Sequence, residues 1–272
     1  MLYRLLTAAF LLCAIAASAD TDPQYYNLMG DADKAIADGK FSEAEDLLRK
    51  AMRLEPANPS NVLLMSNLGM VQFYDGRTAD ALATLSTAHS IAPNSVTVLQ
   101  NRARIYAAEG QWDKALGDYS RVIELDSTLV EPRFYHAMLA LRTGDIPKAS
   151  AEIADLMKMA PDHRLTHEAQ AIVLMQSGLY KEAIPHLSAV IKAAEDASCY
   201  SSRAYCRLLT DDLAGASDDI ARGLELDPTD GELYLYRAML NKLRYRPDDA
   251  KADAVQAIKW GIDPARVRSI LE

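Results

Sequence analysis

Cysteine is scarce in this chain of 272 residues: there are three, and only Cys199 and Cys206 lie beyond the N-terminal apolar stretch. Seven positions apart on one helix, they would stand about 10.5 Å apart along its axis. A disulfide tolerates about 7 Å between Cα atoms, so no bridge is expected and both side chains read as small buried fillers. An acceptor sequon for N-glycosylation is missing as well, because Asn58-Pro-Ser60 is blocked by its proline. There is no glycine-rich phosphate loop, nucleophile elbow or cysteine metal motif, which leaves no residues for catalysis and implies no cofactor. Positive charge is short too, with 29 Lys and Arg against 38 Asp and Glu and a net charge of -9. A nucleic-acid partner requires a cationic surface that displaces counterions from phosphates, so none is expected.

Long apolar runs are confined to the start of the chain. Arg4 precedes an apolar segment from Leu5 to Ala17, followed by Ala17-Ser18-Ala19 and then by Asp20 and Asp22. A charged start, a short apolar middle and small residues before the break describe a cleaved secretory signal over 1–19. The segment is too short to span a bilayer comfortably, and no integral span remains after its removal. Loss of Arg4 leaves the mature chain at -10. Together with the absent sequon, the signal leads to the expectation of an exported protein in the periplasm or envelope of a bacterium.

What is present is a repeat. Glycine followed five residues later by alanine occurs at Gly39/Ala44, Gly76/Ala81, Gly110/Ala115, Gly144/Ala149 and Gly178/Ala183, and the alanine alone continues at Ala216 and Ala250. A second column of small residues runs twelve positions earlier: Ala32, Gly69, Ala103, Ala137, Ala171, Ala204 and Ala238. Two small residues twelve apart with a turn signal between them describe an antiparallel helix pair whose backbones approach closely. In the third copy the first helix is predicted over Val96 to Glu109 and closed by Gly110. The second begins near Asp113 and carries Ala115, Tyr119, Val122, Ile123 and Leu125 on one buried stripe. Pro56, Pro93, Pro161 and Pro228 then hand over to the next copy, since proline cannot continue the helix.

The segments Gly110-Gln111-Trp112-Asp113-Lys114-Ala115-Leu116 and Gly178-Leu179-Tyr180-Lys181-Glu182-Ala183-Ile184 resemble the tetratricopeptide repeat, from Tyr25 to about Pro264. That resemblance implies an all-α fold, a right-handed α-solenoid of about seven helix-turn-helix units over 20–272. The units run 25–58, 62–95, 96–129, 130–163, 164–197, 198–230 and 231–264. A short C-terminal cap over 265–272 is expected to cover the last apolar face with Val267, Ile270 and Leu271. The sixth and seventh units depart from the pattern, with Asp211 and Tyr245 where the turn glycine belongs.

The resemblance also implies a function: a noncatalytic scaffold or adaptor whose first helices line a concave groove for a partner protein or an extended peptide segment. Carried over position by position, the groove residues are Asn67, Met70, Tyr74, Asn101, Arg104, Phe134, Tyr135, Met138 and Tyr236. Aromatic rings and methionines suit an apolar anchor, and Asn67 and Asn101, at equivalent places, suit an extended backbone. The lysine and asparagine set with which some members grip a terminal carboxylate is absent. The alternative is an accessory role in envelope assembly, with the same rings stacking on glycan or peptidoglycan. His163 and His167, four apart beside Glu168, read as an unrelated junction residue and helix residue rather than a metal pair. Asp211, Asp212, Asp218 and Asp219 read as a solvated turn with acidic helix starts.

Overall fold

Apolar stripes at helical spacing, interrupted by turn residues about every seventeen positions, fold into fifteen α-helices among the described residues, 21–272, of a computed structural model. The predicted signal at 1–19 lies outside the described residues. The helices are α1 Pro23–Ala37, α2 Phe41–Leu54, α3 Asn61–Tyr74, α4 Thr78–Ile91, α5 Val96–Ala108, α6 Trp112–Leu125, α7 Val130–Thr143 and α8 Ile146–Met159. They continue as α9 Arg164–Gln176, α10 Tyr180–Ala193, α11 Ala197–Leu209, α12 Leu213–Leu226, α13 Gly231–Leu243, α14 Pro247–Lys259 and α15 Pro264–Leu271. Four of the second helices stop two residues before Pro56, Pro93, Pro161 and Pro228. A proline disfavours helical backbone in the residue ahead of it.

The chain divides into two compact units, one ending at Glu152 and the other spanning Ile153–Glu272, so that the division falls within α8. In the first, α1 packs on α2, α3 on α4 and α5 on α6; in the second, α9 packs on α10, α11 on α12 and α13 on α14. The two columns of small residues lie inside these pairs, and every member is buried. Gly69 shows why: a methyl group added there would sit 2.6 Å from Leu85 Cγ and 3.3 Å from the Ala81 carbonyl oxygen. The second unit ends on α15, whose Val267 and Ile270 are buried among Leu235, Ala238, Ala254, Ala257 and Ile262.

Each turn within a pair wraps the same way. Gly144, at φ 84°, closes α7 in the left-handed conformation, and the Asp145 N–H donates back to the Ala140 carbonyl at 2.8 Å. The matching bonds from Asp212 to Arg207 and from Arg246 to Asn241 are both 2.9 Å, although no glycine is present. Asp211 at φ 63° and Tyr245 at φ 58° take the left-handed conformation instead. What persists from turn to turn is therefore the hydrogen bond that satisfies the helix end, with or without the residue that makes it easy.

A third recurring feature joins the paired helices. Arg102 donates to both carboxylate oxygens of Asp118 at 2.7 Å, Arg203 to those of Asp219 at 2.9 and 2.6 Å, and Arg237 to Asp253 at 3.0 and 2.6 Å. Each arginine precedes the small residue of a first helix, and each aspartate follows that of the second by three. In the fourth pair Glu152 fills the carboxylate's place, with Arg133 Nη1 at 2.6 Å and His136 Nδ1 at 3.2 Å. Asp219 corrects the reading of a solvated acidic cluster: it is 2% exposed and also meets Arg207 at 2.9 Å. Asp212 does cap a helix, accepting from the Gly215 N–H at 3.0 Å.

Candidate partner-binding face

In the first compact unit the residues of interest lie on α3, α5 and α7. Asn101 of α5 donates through Nδ2 to Ser66 Oγ of α3 at 3.0 Å. One turn on, Arg104 pairs with Glu131 at the start of α7, and its Nη1 approaches Asn101 Oδ1 at 3.5 Å. Burial works against the Arg104 charge, but Glu131 and the rings of Tyr119 and Tyr135 hold the guanidinium firmly protonated. The buried Tyr119 hydroxyl is pushed well above the usual phenol range by loss of solvent, with Arg104 pulling the other way. Tyr74 is also raised by burial, again opposed by Arg104.

Two half-buried rings stand on buried or partly buried ones. Tyr135 stacks on Tyr119 with centroids 5.8 Å apart and planes 21° from parallel, and the edge of Phe134 closes against it at 5.3 Å. Tyr74 stacks on Phe41 of α2 at 6.0 Å and 23°. In the second compact unit Tyr236 of α13 lies 5.3 Å from Tyr205 of α11, which meets Tyr180 of α10 edge-on at 5.8 Å. Arg266 of α15 pairs with Glu232 beside Tyr236, and burial followed by Glu232 raises that phenol.

Of the nine residues expected to line a groove, Asn67, Tyr74, Tyr135 and Tyr236 are half-buried. The other five are buried. Phe134 is fully buried, Met70 and Met138 fill the core, and Asn101 and Arg104 are spent on Ser66 and Glu131. Asn67 and Asn101 are thus equivalent in sequence and unlike in role. Asn67 makes no side-chain hydrogen bond among the described residues, whereas Asn101 is enclosed by its polar neighbours.

His163 and His167 also part company. His163 caps α9, its Nδ1 accepting from the Leu165 N–H at 3.2 Å, while His167 faces His186 of α10 with the two Nδ1 atoms 2.9 Å apart. Among the described residues no group of three or more histidines, cysteines or carboxylates is placed to hold a metal ion. Cys199 and Cys206 are free thiols, and burial pushes both up to about 11. The Arg–Asp column and His186 escaped the sequence reading. Its signal was present in three copies, as an arginine just before one small residue and an aspartate three after the next.

A family model described as tetratricopeptide repeat matches residues 31–96 and 134–198, on the same helix pairs whose small-residue columns and turns are described above. The chain belongs to the tetratricopeptide repeat family. The all-α architecture of consecutive helix pairs is that of solved tetratricopeptide repeat proteins. One from Parabacteroides merdae is 25% identical, with a TM-score of 0.67 over 92% of this chain and 98% of that one. YrrB, described as a tetratricopeptide repeat protein with an unusual peptide-binding site, is 16% identical, with a TM-score of 0.53 over 68% of this chain and 96% of its own. The curated DnaJ homolog subfamily C member 3 of Gallus gallus is 22% identical over 85% of this chain and 54% of its own length. The chain spans about half the length of the curated relatives it matches. Tetratricopeptide repeat proteins bind proteins or peptides, and family and fold are generally those of noncatalytic scaffolds. No helix among the described residues is long and apolar enough to cross a membrane.

Proposed function

We infer that this tetratricopeptide repeat protein is a noncatalytic adaptor of the bacterial cell envelope that holds an extended segment of a partner protein. The contact falls on the first-helix residues Asn67, Tyr74 and Tyr135 of the first compact unit, with Tyr236 as a separate contact in the second. The observation that carries this reading is the mounting of the accessible tyrosines on other rings: Tyr135 on Tyr119, and Tyr74 on Phe41. A ring already held in place loses little conformational freedom when a ligand covers it, so most of the contact energy appears as affinity. Asn67, with a free amide, is suited to donate to one peptide group and accept from the next. The secretory signal expected from the sequence of 1–19 supports the envelope location.

A photo-crosslinking residue placed at Asn67 in cells, followed by identification of the captured protein, tests the reading. The captured partner should then bind the purified chain and lose affinity in the Tyr74→Ala, Tyr135→Ala double variant. Unchanged affinity in a double variant that retains its helical circular dichroism overturns the site. Capture of peptidoglycan fragments in place of protein overturns the partner class.

A further inference from the structure

The fourth and fifth helix pairs differ at one place in a way that changes its chemistry. In the fourth, Arg133 on the first helix meets Glu152 on the second, an ion pair supported by His136. Thirty-four residues on, the positions of Arg133 and Glu152 are taken by His167 and His186, and that of His136 by Gln170. A charged lock has become two imidazoles. Their rings lie 5.2 Å apart and tilted by 50°, and their Nδ1 atoms stand 2.9 Å from each other. Neither ring makes another hydrogen bond among the described residues, and the neighbouring carboxylate, Glu168, is held by Arg164 at 2.8 Å. Both histidines are half-buried and open to water.

Two nitrogens this close share one proton, since two lone pairs alone repel and two N–H groups clash. The same distance suits a metal ion. Imidazole nitrogens bind first-row ions at about 2.0–2.1 Å, and two such bonds at a right angle place the nitrogens about 2.9 Å apart, the geometry of tetragonal copper(II) or nickel(II). We propose that His167 and His186 form a two-nitrogen chelate for a divalent transition ion of this kind, with water in the remaining coordination positions. On binding, the ring whose Nδ1–H bridges the pair carries its proton on Nε2 instead, so both Nδ1 lone pairs reach the metal and no net proton is released. Burial and the adjacent His167 hold the His186 pKa below the ordinary value of 6.5, which leaves it unprotonated at neutral pH.

Calorimetric titration of the purified chain, free of any affinity tag, with nickel(II) chloride at neutral pH tests the site. One equivalent should bind, with affinity lowered about tenfold or more by His186→Gln or by His167→Gln and unchanged by His163→Gln. Absence of binding in the parent chain, equal binding by His186→Gln, or loss through His163→Gln each overturns the proposal. Should a variant fail to fold, the parent chain still decides the matter by proton NMR. Substoichiometric nickel(II) should broaden the His167 and His186 ring resonances first, and earlier broadening of His89, His136 or His163 overturns the site.

Discussion

Arg203 and Asp219 face each other across α11 and α12, sixteen residues apart in sequence, joined by hydrogen bonds of 2.9 and 2.6 Å. The carboxylate is 3% exposed and the guanidinium 14%. Removing one partner of such a pair strands the other charge without solvent, which typically costs about 3–5 kcal/mol. Asp219→Ala should lower stability by that order in urea unfolding of the chain. Arg237→Ala should cost less, because the 41% exposed guanidinium leaves a place that water can enter and Asn241 Nδ2 still donates to the Asp253 carboxylate at 2.9 Å.

Tyr245 carries a strained backbone at φ 58° and is 93% exposed as a residue, so its ring gives little back in packing. The left-handed conformation costs an ordinary residue about 1–2 kcal/mol, and glycine escapes that cost. Tyr245→Gly should raise the thermal midpoint. Asp211→Gly should raise it by less, since aspartate tolerates this region better.

Gly69 is the one glycine in the first column of small residues, where the other copies carry alanine. Gly69→Ala would press its methyl group on Leu85, which is itself fully buried. Overpacking of this kind costs about 1–3 kcal/mol. The expected loss is visible in denaturant midpoints, and the cost of Gly69→Ala should shrink when it is introduced into a Leu85→Ala background, where the methyl group has room.

Acid should weaken the second compact unit through His186. Its folded pKa lies below 6.5 because of burial first and His167 second, so the unfolded chain binds more protons just below that pH. Stability therefore falls as pH drops through 6.5 toward the folded pKa and levels off beneath it. His186→Gln should flatten this slope in urea midpoints measured between about pH 8 and pH 5. His89, also lowered by burial and by Arg102, retains its own share of the slope.

At the partner face, Tyr135→Ala should weaken binding more than Phe134→Tyr. The first deletes an accessible ring, while the second adds a hydroxyl to a fully buried one and should show mainly as lost stability. Paired affinity and melting measurements separate the two effects.

The helix pairs could be read from the chain because their determinants are local. A small residue must recur where backbones meet, as at Ala103 and Ala115, and a turn must recur between them. The loss of glycine at Asp211 and Tyr245 blurred that reading, but the helix-end carbonyl still required its hydrogen bond and the left-handed turn survived. The site was less legible. Position in the repeat grouped Asn67 with Asn101 and placed Phe134 beside Tyr135, and it assigned Asp219 to a solvated cluster. In each case the outcome depended on a neighbouring element: Ser66 and Glu131 engage the Asn101 and Arg104 polar groups, and Arg203 takes Asp219 inward.

The sequence by itself determined the fold and its period, since helix formation, turn chemistry and close backbone approach depend on residues within one copy. Tertiary structure alone decided which side chains of the first helices remain exposed and which charges are paired. Burial and pairing are set by what adjacent helices supply, as His186 shows: nothing next to it in sequence announces His167 nineteen residues away, and only the packing of α10 on α9 brings their nitrogens within 2.9 Å.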